Sequence, residues 1–461
     1  MKISPAHHFI GIGGVGMSAI AQILHERGGR VSGSDQAASA TSERLAGLGI
    51  RVHVGHRAEN VEGAEVVVVS TAVGETNPEL AYARAHGLPV RHRSELLADL
   101  MAGHRTVAVA GTHGKTTTTG MVASILLGAE LDPTVLVGGH LPSIGGTART
   151  GHGPFLVAEA DESDKSISRL TAEIAILTNL EGDHLEHYSG LDEIYEVMVG
   201  FLNRLPEGAS VVACIDDPGV RAVLPRLTGR VQTYGFSEDA MHRLEGEVLE
   251  GTGASFALAG VPYRVQVPGR HNVLNAAAAI VASGLLGLAP DAIRPGLEAF
   301  CGVGRRFQTK GTAHGVTVVD DYAHHPSEIR ATLQAASLMG RRTWVIFQPH
   351  RYTRTAALFE DFAKAFEGAH GVAVMDVYSA GEAPNGATSD KLVERMQAES
   401  LPAGVRHCPD HAAVVAAMAP LLEPGDLVLL MGAGNVYQVA DSLLSALSAR
   451  ENSLVPPVSH T

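Results

Sequence analysis

The chain has 461 residues, enough for about three domains at about 150 residues each. Its 35 Lys and Arg against 49 Asp and Glu leave a formal charge of −14, which argues against a broad phosphate-backbone footprint and so against a nucleic-acid partner. Forty-five per cent apolar and 18% charged residues mark a soluble globular protein, while Cys214, Cys301 and Cys408 form no C-x-x-C pair from which a zinc knuckle or disulfide framework could be read.

Residues 1–10 lack a basic stretch followed by an apolar one, so no signal peptide is expected. The longest apolar run, 276–290, is too short to span a bilayer. A cytoplasmic protein without membrane insertion is the expectation. Short β-branched runs alternate with helix-length amphipathic stretches, the pattern of parallel α/β sheets.

The first unit opens with strand-like His7-His8-Phe9-Ile10, then a Gly-rich turn and a helix-like stretch to Arg27; Val66-Val67-Val68-Val69 follows as a further strand. The turn Gly11-Ile12-Gly13-Gly14-Val15-Gly16 matches G-x-G-x-x-G, with Asp35 at the distance expected of a ribose-binding acid. Glycines let the backbone approach a pyrophosphate at a helix N-terminus, and any nucleotide diphosphate would serve. An NAD-linked oxidoreductase and a diphosphate-linked substrate both remain open on this motif.

Alternation pauses at residues 101–103, and a second unit opens with the strand 106–110. Gly111-Thr112-His113-Gly114-Lys115-Thr116-Thr117 then stands between strand and helix. Such a loop turns backbone N–H groups toward phosphate; Lys115 would reach the β/γ-phosphates and Thr116 would offer a hydroxyl to Mg²⁺. Val109 stands where the strict Walker spacing needs its first Gly, so this is a shorter form. The plain alternative is a Gly turn before an amphipathic helix. After the strand 155–158 come Glu159, Asp161, Glu162 and Asp164, either oxygen ligands for a hard cation or a solvated turn. After the strand 174–177, Asp183-His184 takes the same position at a third strand end. An antiparallel meander is predicted over 244–267 and a helix over 271–288, with Asn272 and Asn275 on one face as caps or as ligand-facing groups.

The third unit begins near Gly304, with strands predicted at 316–319, 344–347, 372–375 and 427–430. His350, Arg351 and Arg354 follow one of them; arginines there suit bidentate capture of a carboxylate, or pairing with surface acids. The reading gives units 1–102, 103–303 and 304–450, with 451–461 a frayed tail.

Taken in order, these segments resemble the Mur ligases of peptidoglycan synthesis. The matching stretches are Gly11-Ile-Gly-Gly-Val-Gly-Met-Ser18, Gly111-Thr-His-Gly-Lys-Thr-Thr-Thr118, Glu159-Ala-Asp-Glu-Ser-Asp164, Thr178-Asn179, Asp183-His184, Gly269-Arg-His-Asn-Val-Leu-Asn275 and Gly304-Arg-Arg-Phe307. Asp320-Asp-Tyr-Ala-His-His-Pro326, Phe347-Gln-Pro-His-Arg-Tyr-Thr-Arg354 and Tyr378-Ser-Ala-Gly-Glu382 complete the set, which spans almost the whole chain. Asn435 stands where the family commonly has an acid, and Lys165 and Ile167 where a small residue and Phe are usual. Ser163 stands where the tripeptide-recycling branch typically has Tyr. The later ligases differ around His113 and His324-His325 and rely on a carbamoylated lysine that has no clear counterpart here.

The resemblance implies a three-domain α/β architecture: a Rossmann-like N-terminal domain for a UDP-sugar, a P-loop ATPase-like central domain and a Rossmann-like C-terminal domain for an amino acid. It implies ATP-driven amide formation between UDP-N-acetylmuramate and L-alanine through an acyl phosphate, with recycling of a tripeptide as the alternative. The implied ATP site is Gly111, Thr112, His113, Gly114, Lys115, Thr116, Thr117, Asn272, Asn275, Arg306 and Asp321. Mg²⁺, with Mn²⁺ as a substitute, would use Thr116, Glu159 and His184; Lys115, Glu159, His184 and Arg306 would be catalytic. Gly11, Gly13, Gly14, Gly16, Met17, Ser18 and Asp35 are expected at the UDP-sugar, and Tyr322, His324, His350, Arg351 and Arg354 at L-alanine. A monomer or homodimer is expected.

Overall fold

A computed structural model describes residues 5–183 and 187–454. Three sheets follow one another along the chain. The first has five strands in the order Arg51–Val54, Val31–Asp35, His7–Ile10, Val66–Val69, Val90–His92, all parallel. Successive strands build outward from His7–Ile10, first to one side and then to the other. That reversal leaves a crevice at the carboxyl edge, where such sheets take ligands, and the turn after Ile10 lies there. His7–Ile10 is wholly buried, as its apolar pair Phe9-Ile10 requires, whereas the edge strand Arg51–Val54 is polar and largely solvated.

Ten strands make the second sheet. Seven pair in parallel, in the order His242–Glu250, Arg230–Gly235, Ser210–Cys214, Ile174–Leu177, Arg105–Ala110, Phe155–Glu159, Thr134–Leu141. Their inner members are near-continuous apolar runs, because helices such as Lys115–Gly128 and Arg270–Leu285 cover the sheet. The meander predicted over 244–267 is present as His242–Glu250, Gly253–Leu258 and Val261–Val265. The opposite edge is an antiparallel pair, Thr134–Leu141 with Gly146–Arg149. Sequence reading missed that pair: its polar and glycine positions at 138–140 and 146–149 carry no alternation.

In the third sheet the order is Gln308–Ala313, Val316–Asp321, Leu427–Met431, Thr343–Phe347, Gly371–Val374, Val405–His407; only the first pair is antiparallel. Leu427–Met431, the last strand in the chain, inserts between Val316–Asp321 and Thr343–Phe347. Three strand ends carrying Asp321-Tyr322, Gln348-Pro349-His350 and Gly432-Ala433 therefore lie side by side. The last helix, Val439–Leu454, runs past residue 450, and Glu451 accepts the backbone N–H of His314 at 3.2 Å.

Packing joins the first two units more tightly than the third. Helix Val15–Glu26 lies against the pair Thr134–Leu141 and Gly146–Arg149, and Ile20, Ile23, Ala148 and Leu156 share one apolar core. Val319, Phe347, Phe362 and Leu429 belong to a separate core in the third unit. No helix among the described residues is long and apolar enough to cross a membrane.

Candidate active site

The loop after Arg105–Ala110 is shaped by its glycines. Gly111 has φ +125° and Gly114 φ +81°, and a Cβ on Gly111 would lie 2.2 Å from Thr178 Oγ1. Helix Lys115–Gly128 starts with no side-chain cap and no acid in its first turn, so its free N–H groups and dipole remain directed at an anion. Thr178 and Asn179, at the end of the neighbouring strand, buckle the loop. Thr178 Oγ1 donates to His113 O at 2.7 Å, and the Asn179 amide accepts from His113 N at 2.7 Å and donates to His113 O at 3.0 Å. Lys115 Nζ folds over the loop, donating to Thr112 O at 3.1 Å and to Glu162 Oε1 at 2.8 Å. Burial pulls the Lys115 ammonium down, but the carboxylates of Glu162 and Asp161 outweigh burial and raise it.

The acidic run does not act as one cluster. Glu159 faces Thr116: it accepts from Gly138 N, lies beside the Thr116 hydroxyl, and is raised by burial. Glu162 holds Lys115. Asp161 and Asp164 turn to the first unit, where Arg93 Nη2 reaches them at 2.9 and 3.2 Å. Burial works against the Asp161 carboxylate, yet Arg93 and Lys115 hold it at about 2. Neither cation ligands nor a solvated turn describes all four acids, because Asp161 and Asp164 tie the second unit to the first. Thr116 and Glu159 bring two hard oxygen donors next to a phosphate loop, a fit for Mg²⁺. His184 lies outside the described residues.

A cavity of about 330 Å³ opens between the second and third units. His113 and Gly114 line it from the loop, Asn272 and Asn275 from helix Arg270–Leu285, and Arg306 and Asp321 from the third unit. Asn272 donates to Pro268 O at 2.7 Å and accepts from Asn275 at 3.2 Å, so both amides are fixed. Asp321 accepts from Phe307 N at 2.7 Å, Ala323 N at 2.9 Å and Thr332 Oγ1 at 3.2 Å. Helix Pro326–Ser337 points its N-terminus at the same place. Its Glu328 accepts from His324 N at 2.9 Å and from His113 Nδ1 at 3.0 Å, and stands 3.6 Å from Arg306 Nη1.

Glu328, Glu181 and Ser327 were not singled out from the sequence. Only the His-Pro-Ser-Glu spacing of a capping box marks Glu328; its contact with His113, 215 positions away, leaves no local trace. Atoms of His113, Glu181 and His325 also come within 4.8 Å of one another. Ser327 Oγ lies between them, 2.6 Å from both Glu181 Oε2 and His325 Nδ1, so hydrogen bonds already join the group. Cys214, Asp217 and Tyr234 complete the far wall of the cavity and were likewise missed.

Beside the cavity, Tyr322 meets His324 edge-on at 5.2 Å, His324 meets His350 at 6.2 Å, and His350 stacks on Tyr378 at 5.6 Å. Burial, with His324 and the arginines 354 and 351 nearby, pushes His350 down to about 3, so it is neutral near pH 7. The two arginines are engaged by protein carboxylates. Arg354 forms a buried pair with Asp183, its Nη2 2.8 Å from Oδ1, and Arg351 reaches Glu382 at 3.2 Å. Both therefore pair with acids, but Arg354 does so with a buried carboxylate and not with the surface acid expected. Arg351 holds φ +69°, a backbone state that non-glycine residues adopt where surroundings enforce it. Asn435 accepts from Gln348 Nε2 at 2.8 Å.

In the first unit, Asp35 Oδ2 accepts Gly13 N at 2.8 Å and Oδ1 accepts Gln36 N at 2.7 Å, fixing the glycine turn. Gly11 and Gly14 lie in that turn and Gly16 in the first turn of the helix that follows, with Arg93 Nη1 3.4 Å from a Cβ built on Gly16. Met17 packs into the core with its Cγ 3.8 Å from a Cβ built on Gly14, and Ser18 Oγ donates to Val15 O at 3.0 Å. One residue per 100° of helix carries them to the inner side.

Profiles of one family match three consecutive stretches: the Mur ligase family catalytic domain over residues 6–105, the Mur ligase middle domain over 109–283, and the Mur ligase glutamate ligase domain over 305–434. The UDP-N-acetylmuramate–L-alanine ligase of Geobacter sp. (strain M21) is 47% identical over 454 residues, 97% of this chain and 98% of its own length. Among solved structures, the UDP-N-acetylmuramate–alanine ligase of Thermotoga maritima superposes with a TM-score of 0.82 at 30% identity, covering 97% of this chain and 99% of that one. A murein peptide ligase of Psychrobacter arcticus 273-4 shares the fold, with a TM-score of 0.72 at 24% identity over 96% and 99%.

Proposed function

Because the chain belongs to the Mur ligase family, we infer that it is an ATP-dependent ligase joining L-alanine to the lactoyl carboxylate of UDP-N-acetylmuramate. Near-full-length identity of 47% to a curated ligase of that activity supports the choice of substrates. The observation that carries the chemistry is the junction of the second and third units, where Arg306 and Glu328 meet a phosphate loop across the cavity that Asn272, Asn275 and Asp321 line.

The lactoyl carboxylate attacks the γ-phosphorus of ATP, ADP departs, and an acyl phosphate forms. The alanine amine then attacks the acyl carbon and inorganic phosphate leaves with the electron pair of the broken C–O bond. Positioning and charge neutralisation carry most of such a reaction. Residues 1–102 would hold the UDP-sugar through the glycine turn and Asp35, 103–303 the ATP, and 304–450 the amino acid. Gly111, Gly114 and Lys115 bind the phosphates, Asn272, Asn275 and Asp321 the nucleoside, and Arg306 crosses from the third unit to the γ-phosphate. Thr116 and Glu159, with His184, would hold Mg²⁺, which would supply neutralisation of phosphate charge. Tyr322, His324 and His350 would line the amino-acid pocket, and Arg351 and Arg354 would take its carboxylate in exchange for Glu382 and Asp183. An enzyme drawing on ATP and a nucleotide sugar fits the cytoplasm.

Phosphate release from ATP and Mg²⁺ is expected only when UDP-N-acetylmuramate and L-alanine are both present. Stimulation by the recycling tripeptide in place of alanine would overturn the acceptor, and no stimulation by any acceptor would overturn the ligase. Alanine offers a single methyl group to the pocket, and one methylene discriminates by only about 1–3 kcal/mol. Glycine and serine are therefore expected to be accepted with kcat/KM about 10- to 200-fold lower; undetectable turnover of both would refute selection by pocket size.

A further inference from the structure

Arg305, which has no part in the roles assigned above, joins Tyr322 to the Gly432–Gly434 turn. Its guanidinium carbon lies between two rings, 4.9 Å from the centre of Tyr322 and 4.6 Å from that of Tyr437. Nη2 donates to Gly432 O at 2.7 Å and Nη1 to Ala433 O at 3.4 Å. Nε stands 3.3 Å from Oδ2 of Asp320, a fully buried carboxylate with no hydrogen-bond partner of its own. The backbone is tied as well: Arg305 O accepts Tyr322 N at 2.8 Å, and the residue holds φ +60°.

These contacts fall at the two ends of the ring row Tyr322, His324, His350, Tyr378, which would wall the acceptor pocket. Tyr322 and His324 make the first wall. The second is Tyr378 stacked on His350, and the Gly432–Gly434 turn presses on it: a Cβ at Gly434 would stand 2.7 Å from the Tyr378 ring and 2.4 Å from Gln348 Oε1. One planar cation therefore sets the separation of Tyr322 from the turn that backs Tyr378. Arg305 also sits where the third unit joins the second, since the preceding Gly304 N donates to His140 O at 2.8 Å.

We propose that Arg305 is the positioning residue of the acceptor pocket, fixing the spacing of its Tyr322 and Tyr378 walls around the incoming amino acid without touching it. A guanidinium can stack between two rings and donate in its plane to two carbonyls at once; an ammonium cannot reproduce both. The proposal rests on the ligase reading.

Steady-state phosphate release separates the two. In Arg305→Lys, KM for L-alanine rises about tenfold or more while KM for ATP and for UDP-N-acetylmuramate stay within about twofold and kcat at saturating alanine is mostly kept, as expected for loss of one pre-set binding geometry. Tyr437, at the surface, supplies a variant that does not threaten the fold: Tyr437→Leu raises KM for alanine by a smaller factor, and the double variant is no worse than Arg305→Lys alone, as non-additive partners require. An unchanged KM for alanine in either folded single variant, or an equal rise in all three KM values, overturns the proposal. If wild-type protein shows no alanine-dependent release, the ligase reading fails instead.

Discussion

Lys115→Ala is expected to abolish ligation, lowering kcat by about 10³-fold, while UDP-N-acetylmuramate binds within about twofold of wild type. Removal of one pre-organised donor from developing charge costs about 10²–10³ in kcat, and Lys115 carries a full charge at the loop. The sugar is untouched because the glycine turn and Asp35 belong to another sheet, closed by its own bonds. Stability changes too. Glu162, buried and 2.8 Å from Nζ, loses its cation, and breaking a buried pair from one side costs about 3–5 kcal/mol. Lys115→Met with Glu162→Gln should therefore melt higher than Lys115→Met alone and stay inactive. Titration calorimetry with the UDP-sugar, beside thermal unfolding, checks both parts. Loss of sugar binding in a folded variant would refute the assignment of the sugar to the first unit.

What the sequence made legible follows burial. Ile174–Leu177 and Leu427–Met431 are covered on both faces, so they read as unbroken apolar runs that only an inner parallel strand explains. Arg51–Val54, Gln308–Ala313 and Val405–His407 lie at sheet edges, keep polar residues, and carry no such mark. The phosphate loop was legible because its chemistry is local: two glycines, Lys115 and Thr116 stand within six positions. Pairings across the chain were not. Glu159 and Asp161 are two residues apart, yet one faces Thr116 and the other Arg93, a division set by how the first unit docks. Arg354 illustrates the same limit, since whether it takes a substrate carboxylate or Asp183 depends on a partner 171 positions away.

Docking of the third unit on the phosphate loop is expected to weaken above neutral pH, and His113 sets the sign. Burial alone would push its imidazole down; Glu328 at 3.0 Å and Glu181 at 3.5 Å outweigh burial and hold it up at about 9, against an ordinary 6.5. A group that binds its proton more tightly when docked favours docking fully below 6.5 and loses that contribution as pH rises through 9. At about 1.4 kcal/mol per pH unit the whole shift would carry about 3 kcal/mol; only the share due to Glu328 enters the docking equilibrium, because Glu181 belongs to the same unit as His113. The neighbours do not contest this window. Glu181 is held at about 2 and His325 is pushed down to about 4 by burial, so both act on the acid side, where docking weakens again as pH falls. Small-angle scattering of the nucleotide-free protein should thus show a radius of gyration smallest near pH 6.5 and rising toward pH 9.5. Glu328→Gln removes the nearer carboxylate and should bring the rise to lower pH, and His113→Asn should remove its alkaline limb. An alkaline expansion that persists undiminished in His113→Asn would assign the latch to another group.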